Sequence, residues 1–250
     1  MFYTHILNVE ILSIRLQDLL KEITSGVLYT PNIDHVVRLQ KDKDFYEAYQ
    51  KAEWVICDSV ILHRLSRLLK QSIVESIPGS TFFQKYCDYH KEDESCKIFI
   101  LGGKEGVASK AMNNINERIK RDIVVGAYSP SFNFVADKTE SARLIRIIME
   151  SGATVLIVCA SSPKQELWIA NHRNQLTKIK LFMALGATVD FEAGVIKRCP
   201  LWIQLLGMEW FWRFCREPRR LFRRYFVDDV KFFCYFGKQL IGLYKNPFRK

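Results

Sequence analysis

The chain has 250 residues, 37 Lys+Arg against 27 Asp+Glu for a net charge of +10, and seven cysteines. That length accommodates one large α/β domain, or one domain with an appendage, and buries a core with ease. An odd cysteine count without a C-x-x-C pair or the Cys/His spacing of a zinc site points to scattered core thiols, neither disulfides nor structural metal.

The N-terminus, MFYTHILNVEILSIRLQ, lacks a basic segment followed by an apolar run and a cleavage site, so it does not read as a secretory leader. HILNVEI reads as a short strand, and Ser13 offers a cap for the helical pattern of Ile14, Leu16, Leu19, Leu20 and Ile23. VLYT is an apolar run ending at Thr30-Pro31-Asn32, with a helix predicted beyond it. WVIC likewise runs into Asp58 before a helix through Val60, Ile61, Leu65 and Leu68. After the turn Ile77-Pro78-Gly79-Ser80 comes the helix candidate TFFQKYCDYH. Then KIFILGG, DIVVGAYS, ATVLIVCAS and KLFMALGAT read as strands alternating with helices in KEGVASKAMNNINERIK, TESARLIRIIMESG and SPKQELWIANHRNQL. Short strands alternating with helices of ten or more residues predict an α/β fold, a Rossmann-like, mostly parallel sheet with helices on both faces.

Ligands of such sheets collect outside the strands' carboxyl ends. This selects Thr30 and Asn32, Asp58, Gly102-Gly103, Ser161 to Glu166, and Gly186 to Asp190. Asp58 is open to two readings, a general base for a hydroxyl nucleophile or a cap for the helix beginning at Ser59. Lys164, Gln165 and Glu166 put an ammonium, an amide and a carboxylate in one first helical turn. That suits a diphosphate or a sugar, and equally an ordinary helix start. Gly102-Gly103 can bring backbone N–H groups to a pyrophosphate, or be purely structural. The next strand lacks the ribose-binding acid at its end, which argues against a nicotinamide oxidoreductase. Asp42-Lys43-Asp44 has the form of a D-x-D metal-diphosphate motif but lies among lysines after a helix, and reads as solvated surface.

The charge is uneven. Residues 1–194 carry 24 Lys+Arg against 23 Asp+Glu, whereas residues 195–250 carry 13 against 4. The basic part interleaves with Trp202, Trp210, Phe211, Trp212, Phe214, Phe222, Tyr225 and Phe226, a composition that suits an anionic bilayer surface better than nucleic acid or a solvated basic tail folded back on its own domain. No apolar run reaches the roughly 18–20 residues that span a bilayer. The division predicted is a catalytic domain over 1–195 and a helical, membrane-associating appendage over 196–250. Pro218 should end one helix near Arg216 and open another, and the stripe Phe222, Phe226, Val230, Phe233 and Leu240 is helically spaced for a buried face.

YTPN, the strand-end Asp58, ESIPGSTFF, IFILGGKEGVA, SPKQE, GATVDFEAG, and RCP followed by GMEWFWRFCREPRRLFRRY together resemble, in order and spacing, the WecG/TagA/CpsF family of bacterial glycosyltransferases. The resemblance implies inverting transfer of a sugar, typically N-acetylmannosamine or its uronic acid, from a UDP donor to a polyprenyl-diphosphate-linked saccharide. The products feed teichoic acid, common antigen or capsule synthesis; some relatives transfer glucose or other hexoses. It further implies a metal-independent, cofactor-free enzyme, peripheral on the cytoplasmic face of the plasma membrane, with no nucleic-acid partner and self-association left open. By position, Asp58 resembles the family's base, Thr30 and Gln165 its pocket neighbours, and Asp190 an acid near the nucleotide. Arg213, Arg220 and Arg223 resemble the appendage arginines that hold phosphates. Asn32, Gly102, Gly103, Lys164, Glu166 and Arg198 complete the expected substrate-binding set. Two departures, Ser59 where the family usually has glycine and Ala160-Ser161-Ser162 before the PKQE motif, bear on donor identity more than on reaction type.

Overall fold

The computed structural model describes residues 2–197, 199–200, 203 and 208–249, apart from the side chains at 209, 213 and 220. The expectations placed on Arg198 and Trp202 lie outside the described residues, as do the side chains of Arg213 and Arg220.

The N-terminal run is a hairpin rather than one strand. β1 (Phe2–Ile6) and β2 (Val9–Ser13) pair antiparallel as a sheet of their own. Its turn has no glycine, and Leu7 takes a φ of 56°. Distant groups hold that turn: Leu7 N donates to Gln239 Oε1 at 2.9 Å, and Asn8 Nδ2 donates to the Leu39 carbonyl at 2.6 Å. Such long-range partners are invisible to local pattern. Ser13 does not cap α1 (Leu16–Glu22), because its hydroxyl accepts from Val74 N and donates to the Ser72 carbonyl.

The main elements follow as β3 (Gly26–Tyr29), α2 (Ile33–Arg38), α3 (Lys43–Gln50), β4 (Trp54–Val55), α4 (Val60–Ser66), α5 (Gly79–Tyr89), β5 (Ile98–Gly102), α6 (Val107–Ile119), β6 (Val124–Tyr128), α7 (Lys138–Glu150), β7 (Val155–Cys159), α8 (Lys164–His172), β8 (Leu181–Ala184) and α9 (Thr188–Glu192). The six strands β3 to β8 form one parallel sheet in the order β4-β3-β8-β7-β5-β6. Each strand reads as an unbroken apolar run because both faces are covered. Tyr29, Phe99, Leu101, Leu156, Val158 and Phe182 pack with α2, α3, α7 and α8 on one face. Leu28, Ile98, Ile100, Ile157, Leu181 and Met183 pack with α1, α5, α6 and α9 on the other. Asp42 of the D-x-D caps α3 by accepting from Phe45 N at 3.0 Å.

The C-terminal part runs through α10 (Glu209–Arg216), α11 (Pro218–Arg223), a π-helical turn (Arg224–Asp228) and α12 (Val230–Leu240). Pro218 opens α11, as its missing N–H permits at a first helical position. The expected buried stripe is corrected. Phe222, Phe226, Val230, Phe233 and Leu240 are all exposed, and Leu221, Phe232 and Phe236 face inward instead. Two apolar faces run along the same helices, and spacing alone does not say which meets the domain. α12 and the segment that follows it are stitched to the hairpin, to the loop after α2 and to α3. Gln239 Nε2 donates to the His5 carbonyl, the Tyr244 hydroxyl donates to Gln40 Oε1, and Phe248 lies against the Tyr46 ring.

Gly102 ends β5 at φ 141°, where a Cβ would stand 2.1 Å from the Cys159 carbonyl oxygen on the neighbouring strand. Neither backbone can move without breaking the β5–β7 ladder. Gly102→Ala should therefore destabilise the protein by about 3 kcal/mol or more, read from urea unfolding; a midpoint equal to wild type would contradict this packing.

Candidate active site

Four neighbouring strands, β4, β3, β8 and β7, carry Asp58, Thr30, Gly186 with Asp190, and Gln165 just beyond their carboxyl ends. The helices after β3 pack on one face of the sheet and α9, after β8, on the other, as Val36 and Val189 show by falling in opposite cores. The chain therefore splays apart between these adjacent strands and opens a crevice at their rim.

Asp58 sits in an extended segment that two backbone bonds fix: Asp58 N donates to the Pro31 carbonyl at 3.2 Å, and Ile77 N donates to the Cys57 carbonyl at 2.7 Å. The second bond brings the first turn of α5 against β4, so that Gly79 N donates to Asp58 Oδ1 at 3.1 Å. The carboxylate thus meets the N-terminus of an eleven-residue helix, where the dipole favours negative charge. Ser59, not Asp58, caps α4, its hydroxyl accepting from Leu62 N. The capping reading of Asp58 therefore falls away. A Cβ on Gly79 would lie 3.4 Å from Thr30 Oγ1 and 3.2 Å from Leu185 Cδ2, so Thr30, Asp58 and the end of β8 share one small volume.

Gln165 joins the next two strand ends. Its Oε1 accepts from Gly186 N at 2.9 Å and from Ala160 N at 3.2 Å, tying the loop after β8 to the loop after β7. Its Nε2 donates to Glu166 Oε1 at 2.7 Å. Glu166, expected to bind substrate, is instead wholly interior, with 0% of its surface exposed. Tyr29 donates its hydroxyl to the Glu166 carbonyl at 3.1 Å, and His35 Nδ1 shares a 2.7 Å hydrogen bond with the Tyr49 hydroxyl. Burial pushes the Glu166 carboxyl up to about 7 against the bond from Gln165. Burial, with Arg224 and Arg38 adding to it, holds His35 down at about 3. His35 is therefore neutral, and its 4.0 Å approach to Glu166 is not an ion pair.

The remaining expected residues are less convergent. Asn32 caps α2 by accepting from His35 N at 3.3 Å. Gly103 N donates to the Cys159 carbonyl, so one of the amides offered to a pyrophosphate already serves the sheet. Lys164 Nζ donates to the Phe132 carbonyl at 2.7 Å and lies 3.2 Å from the centre of that exposed ring. Asp190 stands in the first turn of α9, its carbonyl accepting from Val195 N and Ile196 N. Arg223 is exposed on the far side of α11, 4.0 Å from Asp228. Its neighbour Arg224 turns inward across the π-helical turn, with Nη2 3.5 Å from both Asn32 Oδ1 and Asp34 Oδ2. Sequence reading missed Gly79, His35 and Tyr49, and took Arg224 only as one of the arginines of the C-terminal cluster. Only Gly79 carried a signal, as a glycine at a turn facing a strand end. Among the described residues, no three His, Cys, Asp or Glu side chains converge as a metal site. Two grooves, of about 460 and 570 Å³, lie beside Arg118 and Glu192 and beside Lys41 and Asp42, and neither is lined by Asp58, Thr30 or Gln165.

A doubly covered parallel sheet whose rim gathers a carboxylate, a hydroxyl and an amide at consecutive strand ends is the scaffold of an α/β group-transfer enzyme. The chain belongs to the glycosyl transferase WecG/TagA/CpsF family, whose model matches residues 4–246, and it is a hexosyltransferase. A similar curated protein is the N-acetylglucosaminyldiphosphoundecaprenol N-acetyl-beta-D-mannosaminyltransferase of Bacillus subtilis (strain 168). It is 26% identical over 195 residues, which cover 78% of this chain and 73% of that protein.

The interior carboxyl has a consequence for stability. Because its pKa is raised on folding from 4.5 to about 7, the folded state keeps a proton that the unfolded chain releases. The resulting stability is complete below pH 4.5 and is lost as pH rises through 7, on the order of 3 kcal/mol in all. Guanidinium unfolding of wild type and Glu166→Gln at pH 5 and 8.5 should show wild type losing stability relative to the variant at the higher pH. An unchanged difference would rule out the buried titration.

Proposed function

We propose that this enzyme transfers N-acetylmannosamine, or its uronic acid, from a UDP donor to undecaprenyl-diphosphate-linked N-acetylglucosamine, with inversion at the anomeric carbon. Family membership and the name of the Bacillus subtilis relative support the sugar and the acceptor. The observation that carries the mechanism is Asp58 at the rim, one carboxylate oxygen held by Gly79 N and its neighbour on the next strand end being Thr30. In this reading the carboxylate accepts the proton of the acceptor hydroxyl. The hydroxyl oxygen bonds to the anomeric carbon from the face opposite UDP, and the bond to the diphosphate oxygen breaks with its electron pair leaving on UDP. Lys164, Arg213 and Arg220 supply the positive charge that stabilises the leaving diphosphate, with no metal required, while the outward-facing Arg223 serves the lipid surface. Thr30, Asn32, Gln165 and Asp190 line the donor side.

A lipid-linked acceptor stays in the bilayer, so the cleft has to reach it there. Among the described residues no helix is long and apolar enough to cross a membrane. The C-terminal helices instead expose Phe226 (48%), Phe233 (51%), Phe222, Val230 and Leu240 along one side, beside exposed Arg216, Arg219, Arg223 and Lys238. Apolar side chains entering the headgroup layer, with about 1 kcal/mol per basic residue near anionic lipid, suffice for peripheral docking on the cytoplasmic leaflet.

Asp58→Asn should lower single-turnover transfer at least about a hundredfold with the fold intact; turnover within tenfold of wild type would remove Asp58 as base. A panel of UDP-sugars offered with the lipid-diphosphate acceptor, products weighed by mass spectrometry, should single out the N-acetylmannosamine donor, while a glucosylated product would shift the reading to another hexosyl donor. Phe226→Asp with Phe233→Asp should leave thermal unfolding unchanged and abolish co-sedimentation with anionic liposomes. Undiminished sedimentation would discard this docking face.

A further inference from the structure

The PKQE segment presents an acid at a position where a helix start usually offers a solvent-facing one, yet Glu166 is sealed inside the protein. Its cage is drawn from several elements: Tyr29 from β3, His35 and Arg38 from α2, Tyr49 from α3, and Ser162 and Gln165 from its own loop and helix. Tyr29 and Tyr49 pack ring to ring at 5.0 Å, and His35 stands edge-on to Phe45, so the cage is itself rigid. A buried carboxyl costs stability, and an apolar side chain of the same size would avoid the cost. Something at this place therefore needs an acceptor oxygen. The carboxyl is tied to the cleft by the 2.7 Å hydrogen bond that it receives from Gln165 Nε2.

Gln165 has little freedom left. With Oε1 accepting from both Gly186 N and Ala160 N, and one amide hydrogen given to Glu166, the side chain keeps a single N–H for any further partner. Without Glu166 the amide has an alternative rotamer in which the NH2 group faces the two backbone N–H groups. That arrangement sets donor against donor and releases the strand ends. We infer that Glu166 is a positioning residue: it fixes the orientation of the Gln165 amide, and through it the spacing of the loops after β7 and β8 beside Asp58 and Thr30. The inference of an effect on turnover rests on the transfer reaction proposed above; the clamp itself does not.

Glu166→Met keeps the volume and removes the acceptor, whereas Glu166→Gln keeps an acceptor oxygen. Hydrogen exchange followed by mass spectrometry reads the clamp directly at the amides of Ala160 and Gly186, without substrate. Glu166→Met should speed exchange at these two amides about tenfold and lower kcat about tenfold or more with donor KM within threefold. Glu166→Gln should restore both, which a purely space-filling role would not produce. Wild-type exchange and kcat in Glu166→Met, or loss in both variants alike, overturns the inference. Should Glu166→Met not fold, Gln165→Met deletes the clamp itself, and unchanged exchange there overturns it equally. If wild type transfers no sugar while the exchange pattern follows as expected, the proposed reaction fails and the clamp stands.

Discussion

One amide oxygen holds the rim of this enzyme together. Gln165 Oε1 accepts from the backbone of Ala160 and of Gly186, one on each of two adjacent strand ends, at the point where the crossing helices leave the sheet in opposite directions. A parallel ladder stops at the end of its strands, and the amides just beyond have no ladder partner. A crevice that stays open between them needs a bridging acceptor, and here it is a side chain from the first turn of α8. The cost of that arrangement appears one residue further on, in a carboxyl enclosed by two tyrosines and a neutral histidine and shifted to about 7 by its burial.

The acid on the other side of the crevice is held by a different device. Asp58 meets the N-terminus of α5, which the bond from Ile77 N to the Cys57 carbonyl draws against the short edge strand β4. Asp58 and Gln165 therefore belong to independent supports, an edge strand with α5 and an inner strand with α8, and Thr30 on β3 lies between them. Such separation lets either support change without dragging the other.

The C-terminal helices have two apolar sides with two fates. Phe232 and Phe236 complete the same core that covers the α2, α3, α7 and α8 face, so α12 is built into the domain. The opposite stripe remains in solvent among arginines and is the part we assign to the lipid surface. Between them the π-helical turn sends Arg223 outward and Arg224 inward, the latter to Asn32 and Asp34 at the start of α2. Asp229 beside it is buried enough to be raised to about 7, with Arg224 opposing the rise. Arg224 thereby ties the π-helical turn to Asn32, two residues beyond Thr30.

Much of this was legible from residue order alone. Apolar runs of four or five residues ending at Thr30, Asp58, Gly102 and Ala160 mark parallel strands, because covering both faces removes the alternation that a half-exposed strand would show. The carboxyl-end rule then points to the turns at Thr30, Asp58, Ala160 and Gly186, which the structure sets along one rim of the sheet. Pattern also located the basic, aromatic C-terminal part and the helix break at Pro218. Tertiary structure alone decided the rest. Periodicity recognises an apolar helix face without knowing its partner, so the stripe through Phe226 and Phe233 was assigned inward when Phe232 and Phe236 hold that place. The N-terminal hairpin turns at Leu7 without a glycine, and Gln239, more than two hundred residues away, accepts the Leu7 amide. Glu166 at a helix start reads as a solvent-facing acid, since burial is a property of what packs against a residue and not of the residue itself.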